Sequence, residues 1–209
     1  MSPSLNKPLA QQAKAEGRGA YQDRRFKLPL ISLMPGACDV SRGETGFTTV
    51  LGSCVAACIW DELRGIGGMN HFLLPEGGDI DPTHAGWAKA ARYGDHAMEL
   101  LINRVLELGA RRENLAAKVF GGGAVIASVS SLVGERNADF VRRYLAVENI
   151  PILAEDLGGS QPRQVYFFPA SGEAFVKRLK SADTQLIQRE MNFAKKIQKD
   201  EPQGSIYLF

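Results

Sequence analysis

The sequence predicts one α+β domain, rich in strands and carrying a few helices. Three observations lead there. Two neighbouring apolar segments, Val50 to Trp60 and Ile66 to Leu74, flank the polar stretch Asp61-Glu62-Leu63-Arg64 and Gly65, the pattern of a β-hairpin. Tyr93, Ala97, Leu101, Val105 and Leu108 recur at helical spacing from about Lys89 to Leu108, and Gly109 stops that helix. A second hairpin pattern, Gln164–Pro169 with Glu173–Leu179, folds about Ala170-Ser171-Gly172. A chain of 209 residues with 44% apolar content can bury one substantial core.

The remaining elements follow in chain order. Residues 1–27 are small, charged and non-periodic, and read as a polar leader; its basic residues Arg18, Arg24, Arg25 and Lys27 suit a solvated tail better than a partner surface. An apolar run from Leu28 to Met34 ends at the turn Pro35-Gly36, and the first hairpin follows. Residues 76–86 are a loop before the first helix. Lys118 to Phe120 is a short strand entering Gly121-Gly122-Gly123. A second helix begins near Asn137 as N-cap, with Phe140, Val141, Tyr144 and Leu145 inward, and Ile150 to Ala154 is another strand. Residues 183–209 form a C-terminal unit: an amphipathic helix over 183–199, then Pro202-Gln203-Gly204 and an apolar end, Ile206 to Phe209. On the helix, Leu186, Ile187, Glu190, Met191, Ala194 and Ile197 fall near one face, expected to pack on the domain's own core. The apolar end is expected to dock, on its own domain or on a partner.

Composition excludes several classes. No apolar run approaches the ~20 residues of a membrane span, and no apolar signal core follows the N-terminus. A net charge of +2 predicts neither a nucleic-acid partner nor membrane association. Three cysteines, an odd number, suit a reducing cytoplasm rather than a disulfide framework.

The first hairpin carries the best functional lead. With a four-residue loop in which Trp60 faces Gly65, Cys54 and His71 are directly opposed, their Cβ atoms roughly 5 Å apart; a three-residue loop would offset them by one. A thiol beside an imidazole is the minimal unit of cysteine nucleophile chemistry. A lone cysteine in an apolar strand is more often plain core. Here Gly52-Ser53 interrupts the strand just before the thiol, and Gly67-Gly68 leaves room before His71 for an extended substrate backbone. On these residues alone, catalysis and packing stay open.

GSCVAAC, GGMNHFLLP and KVFGGGAV, together with Val133-Gly134-Glu135-Arg136-Asn137, Asp156-Leu157-Gly158-Gly159 with Arg163, and Ser171-Gly172, resemble the chemoreceptor glutamine deamidase family, CheD, over roughly residues 30–180 in unbroken order. The resemblance implies a β-sandwich core flanked by helices, with the deamidase domain spanning 28–182. It implies a protein-glutamine glutaminase that hydrolyses glutamine side chains on bacterial methyl-accepting chemotaxis receptors to glutamate, releasing ammonia through a cysteine thioester. A CheC-type phosphatase is a further partner in some members. It also implies a Cys–His–Thr set, falling here on Cys54, His71 and Thr48, with the adjacent Thr49 as the alternative. Ser53, through backbone N–H groups beside Cys54, and Gly122 and Gly123 are candidates for the oxyanion site or substrate cleft.

Other motifs read more plainly. Gly121-Gly122-Gly123 lacks the phosphate-loop pattern, because position 126 is Ile, and reads as a close-packed turn. Cys38 and Cys58 are core thiols. A zinc site from Cys54, Cys58 and His71 would lack a ligand and be poorly shaped on a strand, so no metal and no cofactor is expected. His84 and His96 are expected in solvent, Asn70 on the face opposite His71, and Arg163 either in an ion pair or on a receptor carboxylate. Two rival functions remain: another cysteine amidase or peptidase, a choice that ammonia release without chain cleavage would settle, and a non-catalytic chemotaxis adaptor, which would keep its full effect without Cys54.

Overall fold

The structure, a computed structural model, describes residues 20–74, 85–125, 130–180 and 184–199. Strands β1 (Ala20–Gln22), β2 (Pro29–Ser32), β4 (Gly46–Leu51), β9 (Arg163–Phe168) and β10 (Glu173–Arg178) form one sheet in that order. Strands β3 (Cys38–Ser41), β6 (Ile66–Asn70), β5 (Val55–Asp61), β7 (Leu115–Gly121) and β8 (Ile152–Leu157) form the other. Pairing is antiparallel except β2 with β4 and β7 with β8. Among the described residues three helices accompany the sheets: α1 (Ala85–Glu107), α2 (Ser130–Val147) and α3 (Thr184–Lys199).

The alternation of β5 sets the layers. Ala56, Cys58 and Trp60 face the first sheet and meet Ile31, Phe47, Leu51, Val165 and Phe167 across the sandwich. Val55, Ala57 and Ile59 point the other way, onto Met98, Leu101 and Val105 of α1 and Phe140, Val141 and Leu145 of α2. The β-sandwich flanked by helices is therefore present. Its first sheet is closed on the outside by a small aromatic group, Phe26 against Tyr166 and Phe168.

Several boundaries differ from expectation. Val50 to Trp60 is not one strand: the chain leaves the first sheet at Leu51 and joins the second at Val55, so Gly52-Ser53-Cys54 is a crossover between sheets. Asp61 is a strand residue rather than part of the loop, and pairs with Ile66. Trp60 consequently faces Gly67, two residues from the expected register, and Val55 faces Phe72. A two-residue slip preserves side-chain parity, so Cys54 and His71 still face the same way. The space at Gly67-Gly68 is already filled: an added Cβ would lie 2.5 Å from Trp60 Cβ and 2.4 Å from the Asp39 carbonyl, respectively. Strand β3, absent from the sequence reading, supplies that carbonyl.

At the N-terminal side, Ala20–Gln22 of the expected leader forms β1 and pairs with β2. Helix α1 starts at Ala85 and α2 at Ser130, both earlier than expected; Asn137 is a buried mid-helix residue, not an N-cap. Strand β7 is longer than expected, and β8 starts two residues later. The second hairpin has its expected position, with Phe168 facing Glu173. Helix α3 buries Leu186, Glu190 and Ile197, while Met191 lies exposed. His84 and the apolar end 203–209 lie outside the described residues.

Asp61 explains the register. Its fully buried carboxylate accepts from the backbone N–H groups of Leu63 (2.9 Å), Arg64 (3.0 Å) and Arg111 (2.8 Å). Burial pushes its pKa up, but these donors and the Asn114 side chain outweigh that and hold it below the ordinary range. The hairpin loop closes around the carboxylate, with Gly65 in the left-handed region (φ 65°). Asp61→Ala strips three backbone donors of their acceptor and is expected to cost roughly 2–4 kcal/mol, read as a lower denaturant midpoint at unchanged slope.

Candidate active site

The crossover Gly52-Ser53-Cys54 is tied from one side through all three carbonyls. Gly123 N–H donates to the Gly52 carbonyl, Asn137 Nδ2 to that of Ser53 and Gly122 N–H to that of Cys54, each at 2.8 Å. Asn137 also accepts from Leu74 N–H at 2.9 Å, so one amide side chain joins the crossover to the segment after His71. The glycine run permits the approach: a Cβ on Gly121 (φ 111°) would sit 2.1 Å from the Cys54 carbonyl oxygen.

The N–H groups of the same three residues converge on the opposite side. There they meet the carboxylate of Glu190, from α3. Gly52 N–H donates to Oε1 at 2.7 Å and Cys54 N–H to the same oxygen at 3.4 Å. Ser53 donates to Oε2 through N–H at 3.0 Å and through Oγ at 2.8 Å. Such a nest of backbone donors is an anion site.

His71 follows β6. Its N–H donates to the Ala37 carbonyl (2.9 Å) and its own carbonyl accepts from Gly36 N–H (2.7 Å), fixing the backbone. Its Nδ1 lies 2.8 Å from Thr49 Oγ1, which in turn donates to the Leu33 carbonyl at 2.8 Å. The hydroxyl has one proton and gives it to a carbonyl that can only accept; Nδ1–H is therefore the donor to Thr49, and Nε2 is left as the basic nitrogen. Nε2 is buried without a hydrogen-bond partner. Cys54 Sγ, an imidazole nitrogen and a Glu190 oxygen all lie within 4.8 Å of one another.

Burial pushes the Cys54 thiol far above its ordinary pKa, and the neighbouring Glu190 charge adds to this. Burial likewise lowers the His71 pKa, against an opposing pull from Glu190. With α3 in place, both groups are held neutral. Cys54, His71 and Glu190 are also a donor set for a zinc ion, but each Glu190 oxygen already accepts two protein donors, leaving no lone pair for a metal.

The expected residues sort as follows. Cys54 and His71 come together. Thr48 does not join them: the hydroxyl on His71 belongs to Thr49, and Thr48 Oγ1 is buried with no partner. Strand alternation is the reason, because Phe47, Thr49 and Leu51 face the sandwich while Thr48 faces away. Ser53 belongs to the nest. Gly122 and Gly123 do not line an oxyanion site, since their N–H groups are spent on crossover carbonyls. Asn70 points away from His71 and bonds Ala57 N–H and the Ala97 carbonyl. Arg163 is buried in an ion pair with Asp156, Cys38 and Cys58 are buried, and His96 is exposed on α1. Two residues were missed as site members. In the sequence Asn137 reads as a helix cap. Glu190 falls on an apolar stripe, where a lone acid is itself a sign of a buried partner.

The fold and site thus define a small α+β domain with a buried cysteine–histidine centre at a sheet-to-sheet crossover. The chain belongs to the CheD family: residues 73–178 match the family described as CheD chemotactic sensory transduction. Proteins named "Probable chemoreceptor glutamine deamidase CheD" are similar over nearly the whole chain. That of Janthinobacterium sp. (strain Marseille) is 50% identical over 192 residues, covering 90% of this chain and 93% of its own. Those of Methylobacillus flagellatus and Herminiimonas arsenicoxydans are 47% and 50% identical, each over 90% of this chain and 94% and 93% of their own. A Neisseria meningitidis protein of known crystal structure aligns over 73% of this chain and 66% of its own, at 13% identity and a TM-score of 0.34.

The depressed His71 pKa makes stability pH-dependent. Unfolded histidine takes up its proton near pH ~6.5, whereas the buried imidazole resists it, so below that pH the unfolded state binds more protons and stability falls as pH drops. His71→Gln is expected to lose less thermal stability than the parent chain between pH 7.5 and 5, as melting curves across the range will read.

Proposed function

We propose that this protein is a cysteine-dependent glutamine deamidase acting on the cytoplasmic part of methyl-accepting chemotaxis receptors, converting glutamine side chains to glutamate and ammonia. The observation that carries the reading is the placement of the Cys54 thiol and the His71 imidazole beside a nest of three N–H donors. The names of the relatives supply the substrate. No helix among the described residues is long and apolar enough to cross a membrane.

The chemistry follows from the groups. A primary amide is a poor electrophile and must lose nitrogen as ammonia, so the nucleophile has to be activated, as the Cys54 thiolate is by the imidazole, and the nitrogen must be protonated. His71 Nε2 takes the Cys54 proton when the site opens to substrate. The Cys54 sulfur then attacks the amide carbon, and the oxyanion forms against the N–H groups of Gly52, Ser53 and Cys54. His71 returns the proton to the departing nitrogen, leaving a thioester on Cys54. Water, deprotonated by His71, attacks that thioester; glutamate leaves and the thiol reforms. Thr49 is a positioning residue that holds the Nδ1–H tautomer.

Intact-mass analysis of a receptor cytoplasmic fragment tests this, each conversion adding about 1 Da. Cys54→Ala is expected to lower turnover at least ~10³-fold while keeping the fold. Thr49→Val should cost roughly 10–100-fold, with Thr49→Ser recovering most of it, and Thr48→Val less than about threefold. Undiminished conversion by the Cys54→Ala protein would remove the cysteine mechanism; full chemotactic effect without any conversion would leave an adaptor.

A further inference from the structure

Helix α3 closes the site that the mechanism uses. Cys54 is 0% and His71 1% exposed, so no receptor side chain reaches the thiol while α3 is seated. The helix is seated at two glycines that admit it. A Cβ on Gly52 would lie 2.8 Å from Glu190 Oε2, and one on Gly36 (φ 84°) would lie 2.5 Å from the Phe193 ring. Phe193 meets Tyr93 edge-on, with centroids 6.4 Å apart, while Leu186 and Ile197 are buried on either side of Glu190.

Glu190 is the informative residue. A glutamate side chain is the product of glutamine hydrolysis, and this one lies within 4.8 Å of the cysteine and histidine. It is 7% exposed. Its oxygens take the three N–H groups that would stabilise the oxyanion. Asp61 is also a buried acid held by three backbone N–H groups, but those of Glu190 lie beside a cysteine and a histidine.

We infer that α3 is a built-in product mimic: it fills the receptor groove, presents Glu190 where the substrate glutamine goes, and must leave before a receptor can be modified. The inference rests on the deamidase reading and extends it to regulation and substrate shape. The occupant is a helix, so the substrate is a glutamine displayed on a helix, with side chains at −4, +3, +4 and +7 to fill the places of Leu186, Phe193, Ala194 and Ile197. Substrate and α3 compete for one seat, and the enzyme rests closed until a receptor helix, or a partner that draws α3 away, displaces it.

The sharpest test turns the mimic into a substrate. In full-length Glu190→Gln, the introduced amide lies beside the thiol: Cys54 sulfur displaces ammonia from it, water hydrolyses the thioester, and the side chain returns to glutamate. Intact mass and peptide mapping are expected to show residue 190 converted to glutamate, a gain of about 1 Da, and to show it unconverted in Glu190→Gln with Cys54→Ala. An amide that persists while the same protein deamidates a receptor fragment overturns the inference and spares the deamidase reading. Loss of both conversions removes the deamidase reading, and the plug is then decided by access alone. Leu186→Asp and Ile197→Asp, which unseat the apolar face, should each speed iodoacetamide labelling of Cys54 by at least ~10-fold, while a synthetic 184–199 peptide slows it again. Labelling as slow as in the parent chain would show that α3 does not gate the thiol.

Discussion

Three hydrogen bonds to three successive carbonyls hold this molecule's chemistry together. A peptide unit joins the C=O of one residue to the N–H of the next and points the two in opposite directions. Fixing the carbonyls of Gly52 and Ser53 from behind therefore aims the N–H groups of Ser53 and Cys54 forward, while the unit after Cys54 sends the Val55 N–H to the Phe72 carbonyl of the second sheet. The donors come from parts of the chain far apart in sequence, Gly122 and Gly123 after β7 and Asn137 in α2. The anion site at the crossover is therefore a tertiary product. No local motif in residues 52–54 would create it, and an anion facing it gains fixed dipoles at no cost of reorganisation.

How far this was legible depends on which physical signal each residue sends. The second hairpin sends a local one, alternation around Ala170-Ser171-Gly172, and it folds where expected. Cys54 and His71 are not directly opposed, yet they share a face and lie close, because a two-residue slip keeps parity. The register itself was hidden in Asp61: an acid between apolar segments reads as loop, and only donors from Arg111 and the turn make it a buried strand end. Asn137 failed in the same manner, its capping chemistry being spent on Ser53 and Leu74 instead of its own helix.

Adjacent threonines pose a sharper form of the problem. Spacing from the cysteine cannot choose between Thr48 and Thr49, but the face of the strand can. Phe47 and Leu51 bracket Thr49 on the sandwich side, and alternation puts its hydroxyl towards the second sheet. The crossover concealed this, since a single strand through Gly52 would have made Cys54 a continuation of the same sheet. The unexpected membership of α3 in the site has another origin. Amphipathicity places the helix on a core but says nothing of which core residue its one buried acid will meet.

Thr49 and His71 stand on opposite sides of the sandwich, and a 2.8 Å contact joins them. That bond works as a ruler for the gap between the sheets. Ala56, Cys58 and Ala116, all small and fully buried, set the gap in the layer behind it. Filling a core with larger side chains is a common route to thermostability. In this protein such filling would part the imidazole from its hydroxyl, so the small residues of this layer limit how far packing can stabilise the fold while that bond is kept.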